Sequence, residues 1–242
     1  MKKYALFVSM AILIAACKPE KTYDMVVTGQ VKGLKKGTLY LQKIADTTLV
    51  NVDSMVIDGH ETFTLKSDLA SAEIFFLFLD KYDGSKDNNS IPFFAEKDSI
   101  QINTTLKKFV ANAKIKGSDA QDRLNEFRDM IGKFNDKRLD LIKAQLEAKQ
   151  QTNLEAEQAA NDALTNLLKR QYLYVANFAV THNDSEIAPY LALVEIYDAT
   201  TPILDTIYNA LTDRVKESKY GLELNRYISE IKKFEASNRA VE

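Results

Sequence analysis

Of the 242 residues only one carries a thiol, Cys17. Thiol–disulfide exchange needs a low-pKa thiolate and, as a rule, a resolving cysteine in Cys-x-x-Cys spacing. A lone cysteine excludes that chemistry for this polypeptide acting by itself. The two histidines, His60 and His182, belong to no His-x-x-x-His or comparable ligand spacing, so no zinc site is expected. His60 falls in a turn signal. His182 falls near a helix end, where an imidazolium favours the negative pole of the helix. Both are expected as solvated side chains.

Asp53-Ser54 is the one acid–hydroxyl pair that invites a nucleophile reading. No histidine or lysine stands in a triad relation to it, and no Gly-x-Ser-x-Gly elbow exists. It reads as a strand-end pair bonding its own backbone. Asp80, Asp83 and Asp87 resemble a calcium loop in charge, yet lack its glycine and terminal glutamate placement. None of the eight glycines forms a phosphate-cradling Gly-x-x-x-x-Gly-Lys. Catalytic, metal and cofactor residues are therefore expected to be none. Tyr23, Tyr40, Tyr82 and Phe93-Phe94 are either a ligand-lining set or, as is usual for aromatics at this density, core.

These side chains hang on a chain that begins with a targeting pattern. Met1-Lys2-Lys3 is basic and Tyr4 to Ala16 is nearly unbroken apolar sequence. That run falls short of the ~20 residues a membrane-spanning helix needs; a basic start, an apolar run and small residues before a cut site read as an export signal over 1–16. Ile14-Ala15-Ala16-Cys17 resembles the lipobox of bacterial lipoproteins. The resemblance implies cleavage between Ala16 and Cys17 and lipidation of the Cys17 thiol, so that several acyl chains hold the protein to a membrane. The alternative is an ordinary secretory signal with Cys17 as a free thiol. Lys18 stands where an inner-membrane retention signal would carry Asp, and only Glu20 represents the acidic run of surface-export signals. The expected location is the cell envelope, at the outer membrane facing the periplasm, with residues 17–22 as an anchor linker.

The chain has 32 basic and 34 acidic side chains. Loss of Lys2 and Lys3 with the signal takes the formal charge from −2 to about −4, without the basic excess of a nucleic-acid binder. Hydrophobic content of 45% and aromatic content of 10% suit a chain with a real core.

From Tyr23 the apolar residues alternate with the period of strands. Met25–Val31, Thr38–Ile44, Val50–Ile57, Phe63–Leu65, Ile74–Leu79, Ile91–Ala95, Ile100–Thr104 and Ala113–Ile115 make about seven or eight short strands. Asp58-Gly59 is a hairpin signal. Ile74 to Leu79 is apolar on both faces, as in a central strand covered on both sides. An antiparallel β-sandwich or open barrel is expected over 23–117.

At Gly117-Ser118 the period lengthens. Ser118 is a helix cap, and Leu124, Phe127, Ile131, Phe134, Ile142 and Leu146 recur at three- and four-residue steps. After a break at Gln151–Asn153 a second stripe runs through Leu164, Leu167-Leu168, Tyr172, Val175 and Phe178-Ala179. The pair reads as a long helical hairpin with an intramolecular core. Three shorter helices are expected after Ser185, at Thr201-Pro202 and after Ser218. The helical domain is placed at 118–236 and a tail at 237–242, giving an α+β protein.

The β half also resembles a known family. Val27-Thr28-Gly29-Gln30-Val31-Lys32-Gly33-Leu34, then Gly37-Thr38-Leu39-Tyr40-Leu41, then Asp53-Ser54, then Asp58-Gly59 and Phe63 are similar to the N-terminal domain of domain-of-unknown-function family 4369. His60-Glu61-Thr62 makes the last turn slightly longer than usual. The resemblance implies a lipoprotein signal before the domain, helices after it and then a thioredoxin-like oxidoreductase domain. Phe178 to Tyr220-Gly221 resembles those linker helices, and the oxidoreductase part is expected to be lacking here. The functional expectation is a lipid-anchored, non-catalytic binding or scaffolding module with an envelope protein as partner. The alternatives are an accessory of a separately encoded thioredoxin-like oxidoreductase, or a hydrolase with an unrecognised site.

Overall fold

Alternation decides which side chains each strand buries. The computed structural model describes residues 22–84 and 89–239. Ala16, Cys17 and the apolar leader, Asp87 and the end of the expected tail lie outside the described residues. Strand β1 (Met25–Lys32) buries Met25, Val27 and Val31 and turns Thr28, Gln30 and Lys32 outward. Seven more strands follow: β2 (Lys36–Ala45), β3 (Thr48–Asp58), β4 (Thr62–Ser67), β5 (Glu73–Asp80), β6 (Ser90–Ala95), β7 (Asp98–Thr105) and β8 (Lys114–Lys116). They form two four-stranded sheets, ordered β4-β1-β7-β8 and β3-β2-β5-β6, here called the first and second sheet. Leu39, Leu41, Phe75, Leu77 and Phe93 of the second sheet pack on Val27, Leu65, Ile100 and Ile102 of the first. The result is a sandwich rather than a closed barrel.

Two features differ from the sequence reading. The β1–β7 pairing is parallel, with Met25 opposite Asp98 and Lys32 opposite Thr105, whereas every other pairing described is antiparallel. Side-chain alternation is the same in both senses, so it carries no trace of direction. Gly29 is what lets β7 come so close: a Cβ there would lie 1.8 Å from the Ile102 carbonyl oxygen. Asp58-Gly59 is also not a hairpin. β3 pairs with β2 while β4 pairs with β1, so this turn carries the chain from one sheet to the other. Asp53 fastens the crossing. Its carboxylate accepts the N–H of Ser54 at 2.8 Å and that of Lys66, in the other sheet, at 2.7 Å.

Gly117 ends the strands at φ +90°, with room for no side chain because a Cβ would lie 2.2 Å from the Ser99 carbonyl oxygen. Helix α1 (Asp119–Gln150) starts immediately after it. Ser118 Oγ accepts the Gln121 N–H at 3.0 Å, and Glu96, beyond β6, accepts from both Ser118 Oγ and the Ala120 N–H. Sheet and helix are thus fixed at one point. α2 (Leu154–Thr181) runs back along α1, and α3 (Ile187–Glu195), α4 (Thr201–Ala210), α5 (Asp213–Lys216) and α6 (Lys219–Arg239) complete the described chain. The one-turn α5 has no periodicity to betray it. α6 continues to Arg239, past the expected bound at 236, so the first residues assigned to the tail are helical. No helix among the described residues is long and apolar enough to cross a membrane.

The helices share a second core, and the second sheet contributes to it. Ala72, Ile74 and Phe94 pack among Leu124, Ile187, Leu191 and Leu224. Neighbouring residues of β6 therefore serve different cores: Phe93 faces the sandwich and Phe94 the helices.

Candidate functional site

The outward positions of the second sheet are the starting point. Pairing places Tyr40 beside Phe78, Gln42 beside Phe76 and Ile74 beside Phe94 on its outer face. The sequence put this strand between two covers, and one of them is incomplete. The helical layer seals Phe94, leaves Ile74 half-buried at its edge, and stops short of Phe76, Phe78 and Tyr40, which are also half-buried. Where the layer stops, a groove of about 610 Å³ opens between Ile44 and Phe76 on the sheet and Tyr190, Leu193, Val194, Tyr197 and Tyr227 on α3, its C-terminal turn and α6.

Its back wall is rigid. Phe94, Tyr190 and Tyr220 form an aromatic triangle with centroid separations of 5.5, 6.1 and 5.2 Å, and edge-to-face pairs of this kind add about 0.5–1.5 kcal/mol each beyond their burial. Tyr220 Oη accepts the Ile74 N–H at 3.0 Å. Burial raises the phenol pKa of both Tyr190 and Tyr220, so they present neutral hydroxyls. The front is open: the Tyr197 ring is 60% exposed and Val194 51%, while Tyr227 Oη donates to the Tyr197 carbonyl at 2.7 Å and holds that backbone in place.

Charge is confined to the edges. The nearly buried Glu73 carboxylate accepts from Lys219 Nζ and lies 3.5 Å from Lys43 Nζ. Lys219 Nζ also donates to the Ile44 carbonyl at 3.0 Å, so this cation is held by the interface. Asp46 and Glu223 remain as acidic rim groups, the latter 3.8 Å from Arg226. Beside Phe76 in the register, Gln42 Nε2 donates to Asn51 at 2.7 Å while Gln42 Oε1 is buried without a partner. Gln42 lies outside the groove lining, so the groove itself offers rings and aliphatic side chains with charge at its edges.

A second cavity, of about 550 Å³, lies on the other side of the junction and is polar. Its groups are committed to structure. Glu186 takes Arg214 at 2.6 Å, Arg214 also donates to the Asp184 carbonyl, and Glu96 caps α1.

The residues singled out in the sequence do not converge. His60 is exposed, its Nδ1 3.1 Å from the Thr62 carbonyl. His182 stacks on Phe178 at 4.0 Å, with Nδ1 2.9 Å from the Phe178 carbonyl at the end of α2, the helix-end position expected of it. Asp53 bridges the sheets, and Asp80 accepts the Tyr82 N–H at 2.8 Å. Phe93 and Phe94 are core; Tyr82 shares a hydrogen bond with Thr38; Tyr23 lies under Lys66. No group of three or more histidine, cysteine, aspartate or glutamate side chains among the described residues is arranged to hold a metal. Tyr197 sits at a helix end with no motif, and Val194 reads in sequence as one more member of the apolar stripe of its helix, although it is 51% exposed; the doubly apolar β5 was the available signal.

Residues 25–124 match the model of a family described as Domain of unknown function (DUF4369). The match covers the sandwich and the first turns of α1, and agrees with the resemblance carried by the glycine and aspartate motifs of the β half. No curated protein matches the chain.

Proposed function

We propose that this protein is a non-catalytic binding module, held to the envelope membrane through a lipidated Cys17, whose aromatic groove receives a segment of an envelope protein. The observation that carries this reading is the groove itself: an open apolar surface with a rigid aromatic back. A concave site lined mainly by aromatic and aliphatic side chains with a few polar groups at its rim is the usual form of a binding site. The Asp46 and Glu223 rim favours a polypeptide segment whose apolar residues are flanked by Lys or Arg. Glu73, Lys43 and Lys219 at the groove's edge are tied to one another rather than poised for proton transfer, which favours binding over hydrolysis.

The test uses a photo-crosslinking amino acid placed in cells at Tyr197, in the groove, or at Gln101, on the outer face of the first sheet. A discrete protein adduct from Tyr197 and none from Gln101 is the expected result. Equal labelling from both positions would overturn the groove reading. In parallel, Cys17→Ser should leave the protein released from the membrane or with its signal uncut. Normal processing and retention of that variant would overturn the anchor.

A further inference from the structure

We infer that the outer half of the α1–α2 hairpin is a self-association arm, which packs against the same face of a second copy of this chain to form a four-helix bundle. This surface is separate from the groove and does not rest on the reading given for it.

The inner half of the hairpin is anchored by Phe127, Tyr174 and Phe178, whose ring centroids lie 5.3–5.8 Å apart. The outer half is different. Between residues 131 and 166 the buried side chains are only Ala148 and Ala160. Helices draw their stability from packing an apolar face rather than from propensity, and a seam whose only fully buried members are alanines supplies less of it than the aromatic inner half. Ile131, Phe134, Leu141, Ile142 and Leu164 are half-buried, whereas a further set of apolar side chains faces solvent: Leu139 is 63% exposed, Leu146 55%, Leu154 76% and Leu168 47%.

Helical geometry puts these leucines on one face. Gly132, Leu139 and Leu146 follow at seven-residue steps on α1; Leu154, Asn161 and Leu168 do so on α2. Seven residues are two turns less about 20°, so each set is a stripe. The hydrogen bond from Gln145 Nε2 to Asn161 Oδ1, at 2.6 Å, and the 5.8 Å contact of Phe134 with Tyr174 fix the register of the antiparallel helices. In that register Leu139 is level with Leu168, and Leu146 with Asn161. Turning from the contact seam in the sense each helix winds brings both stripes to the same side of the hairpin.

The charges along the two edges of this face select the occupant. Asp136 and Lys143 lie on the outer edge of α1; Asp162 and Lys169 lie on that of α2, all exposed. A half-turn about the long axis of the arm lays α1 of one copy over α2 of the other without changing level. It sets Asp136 opposite Lys169 and Lys143 opposite Asp162, twice over by symmetry. Opposite charges at the flanks of a leucine seam are what specify partners in helical bundles. The face is about 30 Å long and about 20 Å wide at helix dimensions. Its footprint of roughly 600 Å² is near the ~800 Å² a side of a standard interface.

The full chain, extracted in a nonionic detergent, is examined by sedimentation velocity with and without Leu139→Glu plus Leu146→Glu. Both positions are exposed, so far-ultraviolet circular dichroism should not change. The expected result is a dimer that the double variant weakens at least about 100-fold in Kd. Lys143→Glu should weaken the dimer as well, and adding Asp162→Lys in the same chain should restore it. A monomeric parent chain at about 50 µM, a dimer indifferent to the leucine changes, or assembly only with a different protein would each overturn the inference.

Discussion

The outer faces of the two sheets obey the same alternation and end up opposite in character. On the first sheet the outward positions are Thr28, Gln30, Thr62, Thr64, Gln101 and Asn103, with solvent over them. On the second they include Gln42 but are dominated by Tyr40, Ile44, Ile74, Phe76, Phe78 and Phe94, which helices cover in part. Antiparallel-rich sandwiches normally keep one wet face per sheet, and the first sheet does. The second gives up its wet face to the helical layer, and the strip the layer fails to reach becomes the groove. A binding surface here is the remainder left when a sheet's apolar face is larger than its cover.

The largest expected effect breaks the two faces apart directly. Phe94 and Gln101 are both outward side chains of their sheets. Phe94→Ala empties a fully buried site between β6, α3 and α6 and should cost about 3–5 kcal/mol in denaturant unfolding. Gln101→Ala should change stability by less than about 0.5 kcal/mol. Similar losses at the two positions would mean that the helices do not depend on the second sheet.

A smaller effect concerns the ionic fastening at the groove's edge. Lys219→Met would leave Glu73, whose side chain is 6% exposed, with Lys43 alone at 3.5 Å. A buried acceptor deprived of its donor costs about 1–3 kcal/mol, and the 36% exposure of the Lys219 side chain places the expected loss at the low end. Its counterpart below the first sheet is the Lys97–Asp24 pair at 3.3 Å, open to water on both sides. Lys97→Ala should lower the unfolding midpoint only slightly, since exposed pairs are screened and entropically costly and the Leu69 N–H still holds Asp24.

The same contrast explains what could be read from residue types. Strand positions, the Ser118 cap, the hairpin break at Asn153 and the inward set of each strand follow from local period and polarity, and all are found. The parallel β1–β7 pairing and the sheet-changing turn at Asp58-Gly59 are long-range facts; pairing direction and partner leave no mark on alternation. The groove depends on where the helical layer stops. Tyr197 is an ordinary aromatic at a helix end until α6 and β5 are placed beside it. The hairpin was legible as a hairpin, but Leu146 and Leu168, read as members of its core stripes, are 55% and 47% exposed, because a recurring apolar step looks alike whether it faces the other helix or solvent.

Titration should separate the two sides of the sandwich by the sign of their response. Near the first sheet, the Leu69 N–H and Lys97 hold the Asp24 carboxyl below its ordinary value, and the Gly33 N–H does the same for Glu61 with help from Gln30. A carboxyl lowered in the folded state stabilises at neutral pH, and that contribution is lost as pH falls below about 4 towards the folded-state value. On the groove side, burial raises Tyr190 and Tyr220. Their neutral forms stabilise up to the ordinary phenol value of about 10, and the contribution is lost as pH climbs beyond it. Thermal unfolding across pH should show Glu61→Gln blunting only the acid limb and Tyr190→Phe only the alkaline limb. Exchange of those assignments would refute the placement of the groups.

The smallest expected change in stability belongs to Tyr197→Ser, and it is the sharpest discriminator between a groove and a gap in packing. The substitution removes a ring that is mostly in solvent while keeping the carbonyl that Tyr227 bonds. Stability should therefore stay within about 0.5 kcal/mol of the parent. If the groove is only the ragged edge of the helical layer, nothing else changes either. If it is a binding surface, a crosslinker moved to Val194 should lose its adduct in the Tyr197→Ser background, because aromatic anchors in a pocket carry a disproportionate share of interface energy. Unchanged folding with loss of the adduct ties the apolar face of the second sheet to recognition; unchanged folding with the adduct retained removes Tyr197 from it.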